Sequence, residues 1–299
     1  MEGNKMIDII IGILEEGFVY AILALGVYIT YKILDFPDLS VDGTFPLGGA
    51  VTVMLIIAGV SPLLSLIIAF FVGAIAGMIT GIIHVKFKVR DLLSGIIMMT
   101  ALYSINLRIA GANVPIFSKD TIFENSFLDN IIPVWFQPYL TTTILLIIVI
   151  ITKLLLDLYL NTKSGFLLRA VGDNETIVTS LAKDKGMVKI IGLAIANGFA
   201  GLAGGVFSQN SGFFEISTGT GAIVIGLASV IIGTNLFRKV RFIKPTTAVI
   251  VGSIIYKACV SIAIQLGLDS RDMKLITAIL FLAILIISND RRRKVKTNA

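Results

Sequence analysis

Long apolar runs broken by short polar stretches organise this chain: Ile7 to Tyr31, Phe45 to Val60, Pro62 to Ile83, Leu92 to Ile109, Pro138 to Leu160, Val188 to Phe207, Phe213 to Ile232, Pro245 to Leu266 and Met273 to Ser288. Most approach the roughly 20 residues that an α-helix needs to cross a bilayer's hydrocarbon core. Lipid cannot satisfy an open strand edge, so the runs predict helices or broken helices rather than sheet, despite their wealth of Ile and Val. The second run is short and joins the first across a break at Asp35-Phe36-Pro37-Asp38. The first run is longer than the apolar core of a signal peptide and leads to no small-residue cleavage site, so it is expected to remain as a span. The expected fold is an all-α, polytopic membrane domain over residues 1–299, with about eight or nine apolar segments.

Composition agrees with this pattern: 56% of residues are hydrophobic and only 15% charged. Mean hydropathy is +0.94, outside the balance of a soluble domain. Charge placement then orients the chain. Lys86, Lys88 and Arg90, then Lys163, Arg169, Lys183, Lys185 and Lys189, then Arg238, Lys239, Arg241 and Lys244, and finally Arg291 to Lys296 fall on one side when the spans are counted. The positive-inside rule makes that side cytoplasmic, and the expected location is a bacterial cytoplasmic membrane. The basic tail, residues 289–299, is expected to lie against the anionic inner leaflet, with no nucleic acid as partner. Cys259, the sole cysteine, excludes an intrachain disulfide and reads as a packed residue; His84, the sole histidine, reads as a loop residue.

Small residues recur within the spans. Gly73, Gly77 and Gly81 follow small-xxx-small spacing, as do Gly201 and Gly205, each giving a helix a bare ridge against a neighbour. A short internal echo relates Phe36 to Thr44 with Phe214 to Gly221 in their order of aromatic, acid, aliphatic, serine and glycine. The runs around them cross in opposite directions by the span count, the arrangement of an inverted repeat whose interface holds a transport pathway.

The polar breaks carry the candidate chemistry. Asp38, Ser40, Asp42 and Thr44 lie where the first helix breaks, and two readings stand: interfacial capping of a new helix, or a polar gate. Glu215 and Ser217 hold the matching place in the echo. Asn106 and Arg108, with Tyr103 one turn away, and Gln209 with Asn210 form two clusters at outer span ends, suited to headgroups or to a delivered solute. Trp135 reads as an interfacial aromatic anchor, and the segment around Ile122 to Leu128 as an amphipathic cap.

Residues 161–189 form the most distinctive polar interruption. Ser164 is expected to start a short helix that Gly172 ends, and Asp173 or Asn174 to cap a second helix ending at Gly186. Gly165-Phe166-Leu167-Leu168-Arg169-Ala170-Val171-Gly172-Asp173-Asn174 resembles the cytoplasmic coupling motif of ABC importer permeases of the branched-chain amino-acid, ribose and nucleoside type. Ile33 to Phe45 and Tyr103 to Gly111 more narrowly resemble an often uncharacterised branch associated with amino-acid uptake, aromatic amino acids included. The resemblance implies a permease dimer, of two copies or two related chains, served by an extracellular lipoprotein or periplasmic substrate-binding protein. A cytosolic ABC ATPase dimer would bind ATP and Mg, with no cofactor in this chain. Carried over by position, Gly165, Arg169, Gly172, Asp173, Asn174 and Glu175 would face that ATPase, and Asp38 to Thr44 and Glu215 to Gly221 would border the pathway.

The residues themselves agree on one point: there is no Gly-x-x-x-x-Gly-Lys-Ser/Thr phosphate loop, so if the chain is an ABC permease, as the resemblance implies, ATP hydrolysis must come from a separate subunit. The expected function is therefore the non-catalytic permease of an ATP-dependent importer for an amino acid or related small polar solute. A proton-coupled secondary transporter and a non-transporting assembly protein remain as alternatives from the residues alone.

Overall fold

The structure is a computed structural model that describes residues 2–117, 119–125, 133, 136–173, 184–238, 240, 242–267 and 272–297, with backbone alone at 2–5, 273 and 287–297. Among the described residues its regular structure is helical apart from one small strand pair. In chain order the helices are α1 (Glu2–Val27), continued by a π-turn (Tyr28–Ile33), α2 (Val41–Ile57), α3 (Pro62–Val85), α4 (Asp91–Ala110), α5 (Gln137–Leu160), α6 (Lys163–Asp173), α7 (Lys185–Ser211), α8 (Ala222–Leu236), α9 (Pro245–Gln265) and α10 (Met273–Thr297). Seven segments among the described residues are long and apolar enough to cross a membrane, with α2 and the Lys274–Ile286 part of α10 as shorter apolar helices. The protein is a multi-pass membrane protein.

α7 is the most buried of these spans and the centre of the bundle. Its composition explains why. Gly198, Gly201, Gly204 and Gly205 strip side chains from its flanks, so α2 and α3 approach to backbone distance. The predicted glycine ridge of α3 faces this helix: a Cβ at Gly73 would meet Gly201 and the Asn197 carbonyl, one at Gly77 the Leu193 carbonyl, and one at Gly81 the Ile190 backbone. On the other side, Gly48 lies against Gly201, and Gly204 against the Phe45 carbonyl oxygen. α8 and α9 pack by the same device, Gly233 against Ala248 and Gly252 against Ser229.

These contacts place the described basic loops together. Val85 at the end of α3 meets Gly186 at the start of α7, and Asp157 near the end of α5 bonds Lys244 and Thr246 at the start of α9. α1 lies antiparallel to α9, with Gly17 beside Ile254 and Ile9 sharing a groove with Ile264, so the chain begins at the opposite end.

The Phe213 to Ile232 run is one of the broken helices, and several other expectations are corrected. Phe213–Glu215 forms an antiparallel pair with Asn113–Pro115, and a 3-10 turn, Ile216–Gly219, follows before α8 begins. The short ladder lets chain that ends two helices satisfy its backbone without a helical partner. Gly172 does not end a helix, since α6 runs through it to Asp173; it is small because a Cβ there would overlap the Ile33 carbonyl oxygen. Gly186 opens α7 rather than closing a helix, its amide donating to the Asp184 side chain at 2.8 Å. The helix start is set by Thr162, whose hydroxyl accepts from the Gly165 amide, while Ser164 faces the Tyr159 hydroxyl. Cys259 is exposed on α9 rather than packed, a position that costs nothing for an apolar side chain facing lipid. α10 continues helically to Thr297 through most of the tail. The second coupling helix and Trp135 lie outside the described residues.

Candidate functional site

The polar break after α1 is built from strained and unusual backbone. The π-turn closes with the Leu34 amide on the Ile29 carbonyl, the Phe36 amide reaches back to Thr30, and Asp35 adopts φ 51°, a left-handed conformation uncommon outside glycine. Pro37 then prevents the helix from resuming, and the chain restarts as α2 inside the bundle.

Asp38, Ser40 and Thr44 turn inward from this break onto Asn197 of α7. Asn197 Nδ2 donates to Asp38 Oδ2 at 2.7 Å and to the Leu193 carbonyl at 3.1 Å; its Oδ1 accepts from Thr44 Oγ1 at 2.8 Å and Ser40 Oγ at 3.2 Å. Asp38 Oδ1 accepts the Ser40 amide at 2.9 Å. All four side chains are buried, and every hydrogen-bonding site of the Asn197 amide is used. Gly73 and Gly77 of α3 leave the room that Asn197 occupies. The knot fixes where α2 begins. It is a closed internal pin.

Asp42, one turn on, faces the other way. Its carboxylate accepts the Gly221 amide at 3.0 Å and the Ile223 amide at 2.8 Å, capping the first turn of α8. The two halves of the internal echo therefore touch, with α2 and α8 starting beside each other and running toward opposite ends of the bundle. Gly219 is bare because the Asp42 carbonyl and Pro46 ring crowd it. Asn106 is buried on α4 and donates to the Gly43 carbonyl at 3.0 Å, while its Oδ1 has no hydrogen-bond partner among the described residues.

The remaining candidates disperse. Arg108 and Tyr103 are exposed on α4, off a narrow buried stripe of Met98, Leu102, Asn106 and Ala110 that recurs every four residues. Gln209 is a structural tie: it donates to the Pro62 carbonyl at 3.0 Å and accepts the Ile122 amide at 3.0 Å, seating the 116–125 segment on the end of α7. Phe123 of that segment is buried in the core. Asn210 is half-buried, and Ser217 is exposed with its hydroxyl donating to Glu215.

At the basic end, α6 lies under the π-turn. Leu168 is buried against Gly192, Gly165 is pressed on Leu160, and Gly172 on Ile33. Beside it a cavity of about 310 Å3 is lined by Asp35, His84, Asp91, Gly172, Asp173 and Lys189. His84 packs edge-on against Phe36 at 5.0 Å, so the α3–α4 loop, the break and α6 form one assembly. Arg169 and Asp173 are exposed on α6; Asn174 and Glu175 lie outside the described residues.

Residues 9–288 match the family described as "Branched-chain amino acid transport system / permease component". This chain belongs to that family. The permease is 45% identical to "Tyrosine transport system permease protein" of Clostridioides difficile over 97% of this chain and 95% of that one. It is 30% identical to "Probable branched-chain amino acid transport permease protein LivH" of Methanocaldococcus jannaschii over 75% and 71%, and 24% identical to "Ribose import permease protein RbsC" of Escherichia coli over 96% and 87%. No solved structure matches it. The permease is thus the non-catalytic membrane component of an ABC-type importer for a small polar solute, coupled to a separate ATPase that binds ATP and Mg. The secondary-transporter and assembly readings fall with this membership. Among the described residues no group of three or more His, Cys, Asp or Glu is placed to hold a metal.

Sequence reasoning missed Asn197, Asp157 and the Glu16–Lys257 pair. Lys257 Nζ lies 2.8 Å from Glu16 Oε2 and 4.0 Å above the Tyr20 ring. The available signal was the same for all: a lone polar or charged residue inside an apolar run, which membranes tolerate only when partnered.

Proposed function

We propose that the permease imports an aromatic amino acid, with tyrosine as the expected solute. The single observation that carries this is the 45% identity, along nearly the whole of both chains, to a relative named for tyrosine transport. The basic end is cytoplasmic by the positive-inside rule, which puts α6 and the 161–189 segment before the ATPase dimer, and the tail at 289–299 on the same side.

In this reading Gly165 and Gly172 let α6 seat directly on the end of α5 and on the π-turn, while Asp173, Asn174 and Glu175 meet the ATPase. Closure of the ATPases pushes α6 against Ile33 and Leu34, and the π-turn passes the displacement to the start of α2. Asp42 links that start to α8, so both broken helices shift as a unit between outward and inward access. Coupling requires that ATPase closure favour one of these states over the other, not mere contact. Two permeases, identical or related, flank the pathway, and a lipoprotein or periplasmic binding protein delivers solute to the opposite end, near Asn106, Arg108, Gln209, Asn210, Glu215 and Ser217. The echo of residues 36–44 in residues 214–221 and their contact support an inverted repeat.

Reconstitution with its ATPase and binding protein tests the solute. ATP-dependent tyrosine uptake, competed by phenylalanine or tryptophan but not by leucine or ribose, is expected. Uptake of leucine or ribose with no tyrosine transport would reject the solute assignment and leave the permease assignment intact.

A further inference from the structure

A second cavity at the basic end, of about 280 Å3, is lined by Tyr28 of the π-turn, Asp157 and Asn161 from the end of α5, Arg169 of α6, and Lys244 and Thr246 at the start of α9. Asp157 already has three partners. It takes Lys153 Nζ at 2.8 Å, Lys244 Nζ at 3.2 Å and the Thr246 hydroxyl at 2.7 Å. One carboxylate therefore meets two ammonium groups, and Arg169 adds a third cation that makes no ion pair among the described residues. The cavity keeps excess positive charge.

Its height in the molecule matters. It opens where the apolar runs of α5 and α9 end, at Leu160 and Pro245, and a bilayer spanned by these helices sets its headgroup phosphates at such ends. The last two turns of α5 also expose Leu154, Leu155 and Leu158, a surface for an acyl chain. We propose that this cavity binds the phosphate group of an anionic membrane lipid, with the Arg169 guanidinium and the Lys244 ammonium on its oxygens and the Tyr28 hydroxyl as a further donor. Basic recesses between helix ends on the cytoplasmic side suit such headgroups, and the planar fork of arginine suits a phosphate. A lipid seated there bridges α6 to α5, α9 and the π-turn, so it sets how firmly the coupling segment is held.

Native mass spectrometry of the purified full chain tests this, with phosphatidylglycerol, phosphatidylcholine and inorganic phosphate titrated separately. Phosphatidylglycerol is expected to bind in preference to phosphatidylcholine, and Arg169→Gln and Lys244→Gln each to weaken it about fivefold. Lys244→Arg should keep the affinity, and Lys86→Gln, an exposed basic loop residue outside the cavity, should leave it unchanged. Arg169 is exposed on α6, so its variant carries the test if Lys244→Gln fails to fold. Equal weakening by Lys86→Gln would show diffuse charge attraction and overturn the site. Inorganic phosphate binding as tightly as the lipid would reassign the cavity to a soluble anion. Unchanged lipid affinity in both cavity variants, with loss of ATPase co-purification, would give the cavity to the ATPase instead.

Discussion

Asn197 carries more of the architecture than any acid that the sequence brings forward. It donates to Asp38 Oδ2 and accepts from both Ser40 and Thr44. Asn197→Leu removes the amide from a buried carboxylate, and leaving such a group unpaired costs at least about 1–3 kcal/mol. A clear fall in Tm of the detergent-purified chain is expected by thermal-shift measurement, larger than that of Asp38→Asn, which keeps one acceptor oxygen but turns an NH2 group toward a donor. Asp42 makes a different prediction. Asp42→Ala deletes the cap on α8, a loss of about 1 kcal/mol, whereas Asp42→Asn retains one acceptor oxygen. Uptake rates should fall in the order wild type, Asn, Ala, with ATPase co-purification retained; full transport in the alanine variant would remove Asp42 from the moving unit. Asp38 and Asp42 were legible from sequence as costly acids at a break. Their opposite partners were not, because four residues along the chain turn a side chain toward a neighbour fixed only by packing.

Helix contacts in this bundle are backbone contacts, and glycine position decides their cost. Gly204→Ala would drive a Cβ into the Phe45 carbonyl oxygen and force α2 from α7, an overpacking penalty of about 3 kcal/mol. Gly12→Ala meets nothing within 4 Å and should be neutral or slightly stabilising. Paired thermal-shift curves check the contrast. Gly172→Ala acts on the joint between α6 and the π-turn: ATPase co-purification is expected to persist while stimulation of hydrolysis by the loaded binding protein drops. Normal stimulation in that variant would show that the joint does not transmit. The glycine ridges were visible in the sequence as spacing; which helix each one faces was not. Gly172 itself is the instructive difference, since a glycine near a helix end reads as a terminator, and here it records a close approach instead.

Seven long apolar helices and the segregation of the described basic loops make the chain a membrane protein with two chemically distinct ends. Cysteine labelling tests the orientation. On a Cys259→Ser background, Lys86→Cys is expected to react only with reagent on the cytoplasmic side, and Ser61→Cys only from outside. The reverse pattern would invert the proposed sidedness, and with it the surface assigned to the ATPase.

Hydrophobic periodicity and loop charge determined by themselves that this protein crosses a membrane repeatedly and has one basic end. Those properties are local or additive: transfer of apolar runs to lipid and the placement of cations need no knowledge of partners. The tertiary structure alone decided that Asp38 is pinned to Asn197, that Asp42 caps α8, and that α6 rests on the π-turn. Each joins residues far apart in the chain, and the energy of a buried polar group is set by the partner that packing brings to it.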